Sequence, residues 1–300
     1  MTKTAWVFPG QGSQAVGMGI DLQNIPSAKD KLKIAEKILG WSVLDICQKD
    51  EQTLARTLYT QPCLYVIESI LVDLLAEKTG LPHLVAGHSL GEYVALYAAE
   101  VFDFESGLKL VKKRAELMDT AAGGQMAALM KFDRSELNKA LTDTDNVVLA
   151  NDNSQGQVVI SGTPEAVENI LAQVKAKRAM TLNVSGAFHS PLMQSAAEQF
   201  TQVLDSVSFK DAKIPVISNT DPTPTTGKEK LKQKLATQMT SSVRWREIML
   251  QLPQLEITNV IEVGPGKVLC GLIKRTCRDI NLEAISTAEQ IDAKITVLNS

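Results

Sequence analysis

The chain is poor in the residues that build covalent or metal-bound scaffolds. Its 300 residues include four cysteines and three histidines. Cys47, Cys63, Cys270 and Cys277 stand far apart, and none makes a CxxC pair. His83, His88 and His189 offer no HxxxH or HxxE spacing. A disulfide framework and a structural zinc site are therefore not expected. Aromatics make up 5% of the chain and the net charge is −3, a balance opposite to that of a general nucleic-acid binder. Apolar runs are broken by charges before the roughly 18 residues that a membrane span needs. The amino terminus enters a strand-like run at once, so no targeting segment is expected. What remains is ordinary: 44% hydrophobic, 22% charged, 18 Gly and 11 Pro. That composition, at a length that can bury a real core, implies a soluble, cytoplasmic globular enzyme of about two domains.

The pattern along the chain reads as α/β. A strand at 4–8 ends in Pro9-Gly10 and a glycine-rich turn. Helices are expected at 27–40 and 51–59, and an apolar helix at 63–79 stops at Gly80. A strand at 83–86 leads into a helix at 90–100, and another helix covers 105–119. Residues 125–186 change character. Strands at 125–131, 146–152, 157–161 and 179–185 alternate with helices at 134–142 and 164–176. This βαββαβ order is a ferredoxin-like unit. The expected organisation is an α/β-hydrolase-like large domain (1–123 and 188–300) with an inserted ferredoxin-like small domain (124–187). Beyond it, Ser190-Pro191 caps a helix at 191–204, followed by strand 213–218 and helices 228–239 and 243–251. Strand 257–263 and a last helix at 267–276 close the pattern.

Gly87-His-Ser-Leu-Gly91 fits G-x-S-x-G between a strand and a helix. A strand that turns sharply into a helix leaves no room for a Cβ at the flanks. Ser89 is thereby held strained, with its oxygen projecting toward backbone N–H groups, that of Leu90 among them. A serine nucleophile needs a base. His88 is adjacent to Ser89 and should point elsewhere in so tight a turn, and His83 lies at a strand start. His189 sits in a loop between a strand and a capped helix, where catalytic groups are placed, and is the favoured base. No motif selects a carboxylate as third member, and a carbonyl oxygen is an alternative. Arg114 falls within the apolar arc of its helix. A guanidinium there meets an anion, either a protein carboxylate or the carboxylate of a substrate.

These residues resemble the family of malonyl-CoA:acyl carrier protein transacylases, the acyltransferases of fatty-acid and polyketide synthesis. The resemblance spans nearly the whole chain. It rests on Phe8-Pro-Gly-Gln-Gly-Ser-Gln14, Gly87-His-Ser-Leu-Gly-Glu-Tyr93, Arg114 with Met118, Gly186-Ala-Phe-His-Ser190, Val243-Arg-Trp245 and Glu262-Val-Gly-Pro-Gly-Lys267. It implies Ser89 as acyl-carrying nucleophile, His189 as base, and Gln11 with the Leu90 N–H as oxyanion hole. Gln238 matches the glutamine whose carbonyl orients the histidine. Arg114 would bind the malonyl carboxylate, with Met118 and Phe188 lining the acyl site. The implied substrates are malonyl-CoA and acyl carrier protein; no cofactor, metal, nucleic acid or membrane is implied. An acidic carrier would require a basic rim, either Lys267, Lys274, Arg275 and Arg278 or Lys109, Lys112 and Lys113. The rivals are a serine thioesterase using the same pair with water, a discrete polyketide-synthase acyltransferase, and a non-catalytic docking module.

Overall fold

A computed structural model describes residues 2–298. The first half runs β1 (Lys3–Phe8), α1 (Pro26–Leu39), α2 (Val43–Cys47), α3 (Glu51–Ala55), α4 (Thr57–Thr79), β2 (Leu84–Gly87), α5 (Gly91–Ala98) and α6 (Phe104–Asp119). Then come β3 (Gln125–Phe132), α7 (Arg134–Thr142), β4 (Val147–Ser154), β5 (Gln157–Gly162), α8 (Pro164–Gln173) and β6 (Ala176–Thr181). The chain ends with α9 (Gln194–Ser206), β7 (Val216–Ile217), α10 (Lys228–Ala236), α11 (Trp245–Gln254), β8 (Ile257–Val263), α12 (Val268–Thr276), β9 (Asn281–Ile285) and α13 (Ala288–Leu298).

Five strands pair in parallel in the order β7-β2-β1-β8-β9. A parallel sheet must be covered on both faces, and β1 shows how. Trp6 and Phe8 point to one face and pack with α4, α5 and α6; Ala5 and Val7 point to the other and pack with α11 and α12. The second sheet is antiparallel, in the order β4-β5-β3-β6. Ala127 and Leu129 of β3 face its own helices through Leu137, Val167 and Ile170. Met126 and Ala128, one residue out of phase, join the core of the parallel sheet. Period-two alternation thus makes β3 a shared wall between two cores.

Helix α4 has the length and hydropathy to cross a membrane, yet 78% of its most apolar window is buried within the protein. It is the central core helix, flanked by α1, α6 and α13. The charges break its apolar run in the sequence, but the first of them, Glu68, is fully buried, and Asp73 is partly exposed.

Several expected boundaries move. The helix expected at 51–59 is two helices, because Arg56 is extended (φ −65°, ψ 129°) between α3 and α4. Helix α8 ends at Gln173 where Val174 turns extended and buries its side chain, so β6 begins and ends earlier than expected. The strand expected at 213–218 shrinks to Val216–Ile217. Ser190 caps a single 3-10 turn, Pro191–Met193, from which α9 continues. Helix α10 stops at Ala236, and a 3-10 turn over Gln238–Thr240 follows. Strand β9 and helix α13 lie past the last element that the sequence pattern marks. β9 is a half-exposed edge strand, Asn-Leu-Glu-Ala-Ile, and alternation is weak there.

Candidate active site

The elbow forms because two glycines let backbones touch. A Cβ at Gly87 would lie 1.9 Å from the Gly91 carbonyl carbon, and one at Gly91 would lie 2.1 Å from the Phe8 oxygen. Between them Ser89 takes a left-handed backbone, φ 52°. His189 is left-handed as well, φ 57°. Such strain on non-glycine residues costs about 1–2 kcal/mol each and must be held by surrounding contacts. Here the holder is Asn219, just past the end of β7. Its Oδ1 accepts from the Ser89 N–H at 2.7 Å, and its Nδ2 donates to the Gly87 carbonyl at 2.6 Å.

Ser89 Oγ and His189 Nε2 are 2.8 Å apart, although 100 residues separate them. The other ring nitrogen, Nδ1, lies 2.9 Å from the backbone carbonyl of Gln238. A carbonyl can only accept, so Nδ1 carries the hydrogen and Nε2 is the free base facing the serine. Among the described residues no carboxylate touches the imidazole; a main-chain oxygen occupies the third position, presented by the 3-10 turn after α10. His189 is buried, and burial together with the Arg114 cation lowers its pKa to about 3. The ring is therefore neutral and ready to accept a proton at physiological pH.

Arg114 projects from α6 into the same cavity and is 0% exposed. Its Nη2 donates to Ser89 Oγ and to Gln238 Oε1, each at 3.1 Å. Tyr93 packs against its guanidinium, 5.4 Å from ring centroid to Cζ. Nε and Nη1 have no hydrogen-bond partner. No carboxylate forms an ion pair with it among the described residues, so of the two readings the protein ion pair is absent. A buried cation with unused donors is arranged to receive an anion.

The cavity around these groups measures about 200 Å³ and lies between the two sheets. Gln11, Gln61, Met118 and Phe188 line it, with Val268 and Leu272 of α12 on the opposite side. Met118 Sδ accepts from Gln61 Nε2 at 3.4 Å, which fixes the thioether on the floor. Gln11 is half-buried, its Nε2 donating to Thr57 Oγ1. The Gly10 loop passes close over the elbow, with room only for a hydrogen: a Cβ at position 10 would sit 2.4 Å from the His88 carbonyl oxygen and 3.6 Å from the Leu90 nitrogen.

Two residues at the site are not marked by the sequence pattern, Asn219 and Glu92. Asn219 carries no motif beyond being polar at a strand end. Glu92 belongs to the Gly-His-Ser-Leu-Gly-Glu run, yet its spacing gave no role. His88 turns away from the serine and bonds Asn153 Oδ1 of β4 at 2.8 Å, joining the elbow to the antiparallel sheet. His83 is exposed and accepts the Thr4 N–H. Of the two basic groups, Lys112 is engaged by the Ile38 carbonyl and Lys109 pairs with Glu105, while Lys267, Lys274, Arg275 and Arg278 are exposed.

An elbow serine, a carbonyl-braced histidine and a buried arginine in one cleft define an acyl-transferring enzyme. The chain belongs to the acyl transferase family, whose domain description matches residues 5–295. It is 61% identical over 291 residues to the malonyl CoA-acyl carrier protein transacylase of Synechocystis sp., covering 97% of this chain and 99% of that one. The crystal structure of the Synechocystis malonyl-CoA:ACP transacylase superposes with a TM-score of 0.96 over 97% of this chain and 100% of that one. A type II polyketide acyl carrier protein in complex with its malonyl-transacylase is a further structural neighbour, at 34% identity and TM-score 0.92, covering 99% of this chain and 100% of that one.

Proposed function

We propose that this chain transfers a malonyl group from malonyl-CoA to the phosphopantetheine thiol of acyl carrier protein, through a malonyl-serine intermediate. The observation that carries the reading is one oxygen with two neighbours: Ser89 Oγ lies 2.8 Å from a free imidazole nitrogen and 3.1 Å from a buried arginine with donors to spare.

His189 removes the Ser89 proton as the oxygen attacks the thioester carbonyl. The negative charge that develops is taken by N–H groups of Gln11 and Leu90; one such donor is typically worth about 100-fold to 1,000-fold in rate. The tetrahedral adduct collapses, and coenzyme A leaves with the proton held on His189. The carrier thiol then gives its proton to His189 and attacks malonyl-Ser89, and the serine recovers its proton. A neutral brace on the imidazole suits this exchange, because a thiolate leaves far more easily than an amine. Arg114 binds the free malonyl carboxylate and so both selects the acyl group and holds its carbonyl against Ser89. Met118 and Phe188 shape the short apolar part of the site. Gln238 acts through its carbonyl on His189.

Beyond the cavity, and sharing Gln157 with it, a groove of about 620 Å³ is lined by Lys131, Arg246 and Arg275. We assign this rim to the anionic portions of the two substrates. The four cysteines are unpaired, which suits a reducing compartment, and we assign the enzyme to the cytoplasm. No cofactor enters these steps.

Intact-mass measurement after incubation with malonyl-CoA tests the reading. Wild type should gain one malonyl group and Ser89→Ala none. The adduct should persist in buffer and discharge to a carrier-protein thiol. Rapid loss to water without a thiol would favour a hydrolase instead.

A further inference from the structure

Glu92 takes no part in the steps above, yet it is 1% exposed and reaches the residues that do. Its Oε2 accepts from Gln238 Nε2 at 2.7 Å and from the Asn219 backbone N–H at 3.2 Å. The side-chain amide of Gln238, itself fully buried, meets three groups. Nε2 donates to Glu92 Oε2 and to the Ser89 carbonyl at 2.9 Å; Oε1 accepts from Arg114 Nη2 at 3.1 Å.

A primary amide is nearly symmetric in shape, and its partners alone decide which end faces where. Two of these partners are acceptors and the third is a cationic donor. Reversing the amide would set its oxygen against two oxygens and its NH2 against the guanidinium, making all three contacts repulsive. Glu92 in turn must present an oxygen, because the Asn219 N–H points at the same atom. Correct orientation therefore passes from the Asn219 backbone to Glu92, to Gln238, to Arg114.

We propose that Glu92 is a positioning residue for acyl selection: through Gln238 it fixes the Arg114 guanidinium so that its unpaired donors face an acyl carboxylate. The inference rests on the malonyl reading above. The role is one of reach rather than charge. Glu92 makes no direct hydrogen bond or ion pair with Arg114; burial pushes its carboxyl above the usual range, against the hydrogen bonds from Gln238 and Asn219 and the nearby Arg114 charge, which favour the ionised form.

Reach and charge are separated by two conservative substitutions. Glu92→Gln removes the charge but keeps an oxygen at the same distance. Glu92→Asp keeps the charge but is shorter by one C–C bond, about 1.5 Å, which carries its oxygen away from Gln238. Loading by malonyl-CoA and by acetyl-CoA is measured for both variants and wild type, with thermal melts alongside. Glu92→Gln should keep the malonyl-to-acetyl ratio of kcat/KM within about threefold of wild type. Glu92→Asp should lower that ratio by about tenfold, the worth of one hydrogen bond, mainly through the KM for malonyl-CoA. The reverse pattern would make Glu92 a counter-ion and overturn the proposal. An equal effect in both variants, or a parallel loss with both acyl groups that tracks the melts, would overturn it as well. A wild type that loads no malonyl group would instead refute the transfer reading, which is a separate result.

Discussion

Arg114→Met removes the cation while keeping a side chain of similar reach. In the free enzyme two effects oppose each other. A buried guanidinium with unpartnered Nε and Nη1 is relieved of its desolvation cost. Gln238 Oε1 loses its donor, at about 1–3 kcal/mol. The two offset, and the melting temperature should move by no more than about 3 °C. With malonyl-CoA nothing offsets the loss. A carboxylate entering this site would be buried opposite a thioether, and leaving one member of a buried ion pair alone costs about 3–5 kcal/mol. At 1.4 kcal/mol per decade, malonyl loading should fall by between about 100-fold and a few thousand-fold. Acetyl-CoA brings no carboxylate, so its loading should stay within about tenfold of wild type. The assay is competition between the two thioesters at equal concentration, with each acyl-enzyme resolved by intact mass over time. An unchanged preference for malonyl in Arg114→Met would refute the assignment of Arg114 as carboxylate receptor, and a collapse of the melting temperature would refute the balance of terms just given.

Further outcomes are expected at three residues. Gly10→Ala forces a methyl against the His88 carbonyl at 2.4 Å and should displace the loop over Leu90, lowering kcat by about 100-fold to 1,000-fold; near-normal turnover would show that the loop contributes no oxyanion donor. His189 keeps its folded-state pKa near 3, below the ordinary 6.5, so labelling of Ser89 by a sulfonyl fluoride should stay base-competent well below pH 6, and an acid limb centred at 6.5 would contradict it. The sign for stability follows from the same shift: the unfolded chain gains the proton first, so this group removes about 1.4 kcal/mol of stability per pH unit as pH falls from about 6.5 toward 3, readable in denaturant midpoints. Asp152→Ala breaks pairs with Arg134 of α7 and Arg246 of α11, both at 2.9 Å, and should cost about 3 kcal/mol, or roughly 6 °C in melting temperature; an unshifted melt would mean that the two sheets hold together without this clasp.

The residues on their own settled what is local. A glycine pair four apart around a serine dictates a sharp elbow whatever surrounds it, because only the absence of a Cβ permits that backbone approach. Hydrophobic periodicity announced most of the strands and helices of both sheets, since burial on one face or two leaves its mark on neighbouring positions. The place of Arg114 on the apolar arc of its helix already said that a charge would be buried. Long-range pairing is different, because no spacing rule links residues 100 or more positions apart. The resemblance to a family named His189 and the Gln238 carbonyl, but only the folded chain gives their distances to one another and to Ser89, and only it shows that no carboxylate among the described residues forms an ion pair with Arg114. The clamp by Asn219 and the orientation of Gln238 by Glu92 belong to the same kind: hydrogen bonds depend on ångström-scale geometry, which the packing of two sheets fixes and the order of residues does not encode locally. The edge strand β9 is unmarked in the sequence for a related reason, since a half-exposed strand is held by its neighbour β8 rather than by any pattern of its own.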